Sequence, residues 1–276
     1  MIITLEILCS KKMKSKNNFL KILSYNVNGL KSFISKGGLE YILSENPDIF
    51  CLQETKIKKI IEIEGYYCIF SPGIIGAGVC VFSKIKPIES FTFDMPYSEK
   101  VTSKELAQYK GRIIICKFKD FILFNVYSPH CTFGKYSNLK FRLQFDSFLS
   151  DLIYSQINTT ETNSNYSKQN NVIVLGDFNV ANEKIDLKNA NEKLSGFTIE
   201  ERLSFKKIIF KNNLIDTFRK INPNKIEYSF FSNRRKNNIE NNNGMRLDYI
   251  LTNFKFKNST IEKVYFSDHL PLILKI

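Results

Sequence analysis

Short runs of apolar, largely β-branched residues recur along the chain, separated by Gly, Pro, Asn, Asp or Ser. Runs at 21–27, 48–52, 66–70, 78–82, 112–118, 121–127, 172–175, 247–251, 263–266 and 270–276 have the length and the borders of strands. Many are apolar at nearly every position, as expected where both faces of a strand are covered. Helical spacing appears in three places. Residues 32–44 place Phe33, Ile34, Leu39, Ile42 and Leu43 on one side, with Gly37-Gly38 weakening the first turn. Residues 138–157 carry Leu139, Leu143, Phe145, Phe148, Leu149, Leu152 and Ile153. Residues 199–210 follow Thr198-Ile199-Glu200-Glu201, a capping box whose hydroxyl and carboxylate satisfy free N–H groups at a helix start. Many strands and few helices predict an α/β sandwich of two sheets, with helices outside. The Asn-rich stretches 158–171 and 237–243 read as loops. No repeat or linker divides the chain, so residues 20–276 form one expected domain behind a basic tail, 1–19, expected to be disordered.

Charge narrows the function. The 276 residues include 40 basic and 27 acidic side chains, a net charge of +13. That excess favours a polyanionic partner: nucleic acid, phosphoinositide or an anionic membrane surface. An A/T-biased genome would also enrich Lys and Asn, but it does not require so few acids. No run approaches the roughly 18 apolar residues of a membrane span. Residues 1–9 lack the charged-then-apolar order of a secretory signal. The basic segment 11–16 reads as a solvated tail or a weak nuclear signal. The six cysteines form no C-x-x-C pair, which favours a reduced, intracellular setting. With two histidines in the whole chain, any metal site must be built mostly from oxygen, as suits Mg²⁺ or Mn²⁺.

Candidate chemistry gathers where strands end. Val172-Ile173-Val174-Leu175 runs into Gly176-Asp177-Phe178-Asn179, which delivers a carboxylate and a carboxamide two residues apart. Asp177 could take a proton from water while Asn179 orients it or steadies a charged oxygen. A strand-end Asx turn would look the same. Ser267-Asp268-His269-Leu270-Pro271 precedes the last apolar run; its histidine suits a phosphate oxygen and its aspartate a metal or the imidazole. Glu54 directly follows the run at 48–52, as a hard-metal ligand would. Asn26 and Asn28 point to one side of another strand end. Asp248 lies inside an apolar run, where an unpaired carboxylate is costly, so it needs a partner such as His269. Tyr127 closes a further run and could donate to a phosphate, although such a tyrosine more often packs.

Four of these segments resemble the endonuclease/exonuclease/phosphatase superfamily: Asn-Val-Asn-Gly-Leu at 26–30, Leu-Gln-Glu-Thr-Lys at 52–56, Gly-Asp-Phe-Asn-Val-Ala at 176–181 and Ser-Asp-His-Leu-Pro at 267–271. Leu-Gln-Glu-Thr-Lys, Gly-Phe-Thr-x-x-Glu-Arg at 196–202 and Arg-Leu-Asp-Tyr at 246–249 narrow the likeness to exonuclease III-type apurinic/apyrimidinic endonucleases. The segment 185–189 adds to it. The resemblance implies a four-layer α/β sandwich, two mixed sheets face to face with helices outside. It implies Mg²⁺-dependent hydrolysis, with Mn²⁺ as substitute, on the 5′ side of abasic sites in double-stranded DNA. The products are a 3′-hydroxyl and a 5′-deoxyribose phosphate, with 3′→5′ exonuclease or 3′-phosphodiesterase activity as companions. It implies a metal site drawn from Asn28, Glu54, Asp268, Asp177, Asn179 and His269. The implied catalytic set is Tyr127, Asp177, Asn179, Asp248 and His269. Implied DNA contacts are Asn26, Lys31, Lys56, His130, Phe230, Met245 and Arg246.

The departures are specific. Asn28 stands where many eukaryotic members have Asp, which removes a formal charge from the metal site. His130 replaces a usual Asn beside the phosphate, and Met245 replaces an aromatic of the abasic-sugar pocket. Phe230 and Leu247 keep that pocket apolar. The loop 234–244 diverges, so residues inserted into the duplex are not assigned. The expected protein is a monomer in the nucleus, or in a reduced mitochondrial compartment. The competing readings are another phosphoesterase of the superfamily and a catalytically inactive basic DNA-binding protein. The second is disfavoured because Glu54, Asp177, Asn179, Asp248, Asp268 and His269 are all present.

Overall fold

The computed structural model describes residues 3–4, 19–73, 76–93, 110–131, 137–159, 170–232 and 238–276. The strands are β1 (Ile3–Thr4), β2 (Lys21–Asn26), β3 (Ile49–Gln53), β4 (Ile61–Glu62), β5 (Tyr67–Pro72), β6 (Gly78–Ser83), β7 (Glu89–Phe93), β8 (Ile113–Lys117), β9 (Ile122–Tyr127), β10 (Val172–Asp177), β11 (Ile215–Asp216), β12 (Asp248–Thr252), β13 (Asn258–Ile261) and β14 (Leu272–Lys275). The helices are α1 (Leu30–Ser35), α2 (Gly38–Glu45), α3 (Ser137–Asn158), α4 (Ile199–Lys211) and α5 (Thr217–Ile221). One six-stranded sheet runs β13-β14-β2-β3-β6-β5 and the other β11-β12-β10-β9-β8-β7. Each is mixed, with one parallel pair, β2 with β3 and β9 with β10, among antiparallel neighbours.

The nearly unbroken apolar runs follow from cover on both faces. Along β10, Ile173 and Leu175 face the other sheet, where Ile22, Cys51 and Val79 share their core. Val172 and Val174 face outward under Phe145 and Leu149 of α3 and Phe205 of α4. Along the first sheet, Leu23, Tyr25, Phe50 and Leu52 point away from the sandwich centre, under Phe33 of α1 and Leu39 and Ile42 of α2. Period-two alternation therefore fills an inter-sheet core and two helix-covered cores, the four expected layers.

Some local expectations are corrected. The single helix at 32–44 is two helices, because the chain turns at Gly37 with φ 86. A Cβ on the next residue, Gly38, would lie 2.4 Å from the Phe33 ring, so the second glycine lets α2 close onto α1. No strand forms at 263–266. The last hairpin instead pairs β13 with β14, and Phe266 packs against Phe33 and Tyr41. The edge elements β4, β7, β11 and α5 escape sequence reading because they are short or rich in polar residues. Of the expected tail, Ile3–Thr4 pairs with β4; residues 5–18, with the basic segment 11–16, lie outside the described residues, as do 160–169 of one Asn-rich stretch and residue 237 of the other. Residues 238–242 form turns. Among the described residues no helix is long and apolar enough to cross a membrane.

Candidate active site

Both sheets send their chemistry to one edge. Asp177 ends β10, paired in register with Tyr127 at the end of β9 and with Asp248 at the start of antiparallel β12. In the other sheet Asn26 ends β2 opposite Gln53, and Glu54 follows. Gly176 makes the approach possible: its φ is 133, and a Cβ there would lie 1.9 Å from the Val126 carbonyl oxygen. Asn28, Glu54, Lys56 and Asn179 all have φ between 44 and 52. Left-handed backbone at non-glycine residues is uncommon, and its clustering marks a site where surrounding structure holds strain.

The floor is a buried chain of polar groups. Asp248 Oδ2 accepts from Ser229 Oγ at 2.7 Å and lies 2.8 Å from His269 Nδ1. His269 Nε2 lies 3.9 Å from Asp177 Oδ2, and the ring packs 4.8 Å from that of Phe230. Asn26 Nδ2 donates to Asp177 at 2.9 Å and to Glu54 at 3.1 Å. Asn179 donates its backbone N–H to Asp177 Oδ1 at 2.8 Å and its carboxamide to the Ser128 carbonyl at 2.9 Å.

Electrostatics divides the roles. Burial first, then the Asp248 charge, pushes the Asp177 carboxyl up to about 7, against the pull of His269. Burial disfavours a charged His269, but Asp248, through charge and hydrogen bond, outweighs it and with Asp177 and Asp268 raises the ring to about 10. Burial would also raise Glu54, yet hydrogen bonds from Asn26 and Lys56 and the charges of Lys56 and His269 hold it below the ordinary carboxylate value. The Tyr127 phenol is driven up by burial and by Glu54, and stays protonated.

At the mouth, Asn28 Nδ2 donates to both Asp268 oxygens at 3.0 Å. Lys56 Nζ rests 2.9 Å from Glu54 and also donates to Asn28 Oδ1. Ligand atoms of Glu54, Asp177 and His269 lie within 4.8 Å of one another. Glu54, Asn28 and Asp268 offer hard oxygen atoms, and two of them already attract the Lys56 ammonium, so this oxygen donor set fits a divalent cation. Beside them opens a cavity of about 570 Å³, lined in part by Tyr127, His130, Asn179, Phe230, Met245 and Leu247.

Two expected DNA contacts do not reach the surface. Asn26 is fully buried, and its carboxamide is spent on Glu54 and Asp177. Arg246 is 1% exposed and fixed by Asp186 and Asp216, with its guanidinium 4.4 Å from the Tyr249 ring. It braces the segment leading into β12, which carries Met245 and Leu247. Lys31, Lys56 and His130 are exposed, and Phe230 and Met245 are partly buried. Sequence reading missed Ser229 and Arg112. The Arg112 guanidinium lies 4.8 Å from the Tyr127 ring and donates to the Tyr127 carbonyl at 3.1 Å. A lone serine or arginine carries no local signal of such a partner.

A carboxylate beside a carboxylate-held imidazole, with further oxygen donors at the mouth of an apolar-walled cavity, defines a hydrolytic centre equipped for phosphate and a hard cation. The chain belongs to the Endonuclease/Exonuclease/phosphatase family, which residues 23–269 match. It is 34% identical over 280 residues to the DNA-(apurinic or apyrimidinic site) endonuclease of Dictyostelium discoideum, spanning 94% of this chain and 71% of that one. It is 31% identical over 274 residues to the exodeoxyribonuclease of Bacillus subtilis, spanning 93% and 99% respectively. The solved structure of an AP endonuclease from Archaeoglobus fulgidus matches with a TM-score of 0.75 at 27% identity, over 92% of this chain and 98% of that one.

Proposed function

We propose that this protein is a divalent-metal-dependent DNA repair nuclease. It hydrolyses the phosphodiester on the 5′ side of an abasic site in duplex DNA, leaving a 3′-hydroxyl and a 5′-deoxyribose phosphate. The same centre serves 3′→5′ exonuclease or 3′-phosphodiesterase reactions. The observation that carries this reading is Asp177. It is a carboxylate at a strand end, raised by burial to about 7, opposite an imidazole that a second carboxylate holds. The relatives' names supply the substrate.

Glu54, Asn28 and Asp268 would hold the metal, Mg²⁺ with Mn²⁺ as substitute. When bound it neutralises charge that develops on the phosphate. Asp177 takes the proton from the attacking water, and Asn179 orients that water. His269, charged because of Asp248, donates from Nε2 to a phosphate oxygen; a protonated ring has no lone pair for a metal, so it serves the phosphate. Tyr127 donates its phenol to the same group. Phe230, Met245 and Leu247 form an apolar wall for a sugar without its base. Met245, in place of an aromatic, leaves that wall flexible, which favours tolerance of several 3′ ends. Lys31, Lys56 and His130 lie on exposed surface near the mouth and meet the backbone. We assign the protein to the nucleus, where such a substrate is found.

The test is incubation with a duplex carrying one abasic analogue, with and without Mg²⁺, followed by product sizing. A single metal-dependent cut on the 5′ side is expected. An uncut duplex with Mg²⁺ present would remove the reading.

A further inference from the structure

Helix α3 carries charge where its neighbours are core. Arg142 and Asp146 stand one turn apart, both fully buried, and Arg142 Nε donates to both Asp146 oxygens at 2.9 Å. A buried ion pair roughly breaks even against a well-packed apolar pair, because desolvation offsets the attraction. Stability alone therefore does not account for it. The rest of the guanidinium shows what it reaches. Nη1 donates to the Pro129 carbonyl at 2.9 Å and lies 3.5 Å from the Asn179 carbonyl. Those carbonyls belong to the two loops that bring His130 and Asn179 to the cavity.

The same loops are joined from the cavity side. Asn179 Nδ2 donates to the Ser128 carbonyl at 2.9 Å, and the Ser128 N–H donates to the Asp177 carbonyl at 2.8 Å. Asn179 is held at φ 51, a conformation that persists where its surroundings over-determine it. The guanidinium clamps from below what the carboxamide clamps from above.

Building on the nuclease reading, we propose that Arg142 is a positioning residue for hydrolysis. Aimed by Asp146, it locks the Pro129 and Asn179 carbonyls together and so fixes the Asn179 carboxamide relative to Asp177. It touches neither DNA nor metal.

The test compares wild type, Arg142→Lys and the apolar pair Arg142→Met/Asp146→Leu, each with and without Asn179→Ala. Single-turnover incision, duplex affinity and amide hydrogen exchange at Ser128 and Asn179 are measured. The apolar pair should lose on the order of 10²-fold in rate with affinity within about twofold. In the Asn179→Ala background the further loss should be under about twofold. The two amides should exchange about tenfold faster or more. A full rate in the apolar pair, equal losses with and without the Asn179 carboxamide, or unchanged exchange would overturn the proposal. If the apolar pair does not fold, Arg142→Lys, which keeps the charge but not the fork, is judged by the same three criteria. Wild type that leaves abasic DNA uncut refutes the nuclease reading instead, while exchange in the variants still decides whether Arg142 locks the loops.

Discussion

The imidazole of His269 stands between two carboxylates, Asp248 at 2.8 Å from Nδ1 and Asp177 at 3.9 Å from Nε2. Asp248 aims the ring and keeps its charge; in the proposed mechanism Asp177 acts on water. If the two residues work as one unit, Asp248→Ala and His269→Ala should lose incision to a similar extent, and the double variant should be little worse than either. Burial alone lowers a histidine, so Asp248→Asn should bring His269 down from about 10. A double-mutant cycle with NMR titration reads both; additive losses with an unmoved titration would separate the pair. Asp177→Asn should cost on the order of 10²–10⁴ in rate, the usual worth of a general base. Duplex affinity should stay nearly intact, because Asp177 is buried. Normal incision by the folded variant would strip Asp177 of its role.

Among the elements, the turn at Lys184–Asp186, β11, helix α5 and the segment leading into β12 meet in one ion network. Fully buried Asp186 receives Arg246 Nε at 2.8 Å and Nη2 at 3.0 Å, together with Arg219, while Asp216 lies 2.8 Å from the same Nη2. Burial would raise the Asp186 carboxyl, but the two guanidiniums outweigh it and hold it below its ordinary value. A carboxyl depressed in the folded state stabilises above its unfolded pKa, and that stabilisation disappears as pH falls through the folded value. Asp186→Asn should therefore cost about 3–5 kcal/mol at neutral pH, the range for breaking a buried pair. The difference from wild type should narrow below about pH 4. Urea unfolding at both pH values is the check, and a pH-independent difference would assign the loss to packing. The network also supports the cavity wall, since the Arg246 N–H donates to the Asp186 carbonyl at 2.8 Å beside Met245.

For the whole molecule, the two sheets bring to one edge residues that lie more than two hundred positions apart, as Asn28 and Asp268 do. The chain carries a net charge of +13, while its centre is rich in carboxylates. That contrast matches long-range attraction of a polyanion with local affinity for a cation. Binding to duplex DNA should weaken steeply with salt, with a log–log slope of about −0.9 for each phosphate neutralised. Titration over a range of salt concentrations measures it; a flat response would mean that the basic residues do not face DNA.

The strand runs, the capping box at Thr198 and the placement of acids and amides at strand ends were legible in the sequence because each depends on local periodicity or on turn chemistry. Even the pairing of Asp248 with a histidine followed from the cost of an unpaired buried carboxylate. What only the tertiary structure decided was where each buried polar group found its partner. Asn26 and Arg246 looked available to DNA, yet lie buried in hydrogen-bond and ion networks. Gln53 and Asn125 join the two sheets by a 2.7 Å hydrogen bond across 72 positions of sequence. Arg142 and Ser229 resemble solvated residues when read along the chain, and become supports of the site once the layers close over them. Backbone preference is written in neighbouring residues, whereas the partner that makes a buried charge tolerable comes from another element, through packing.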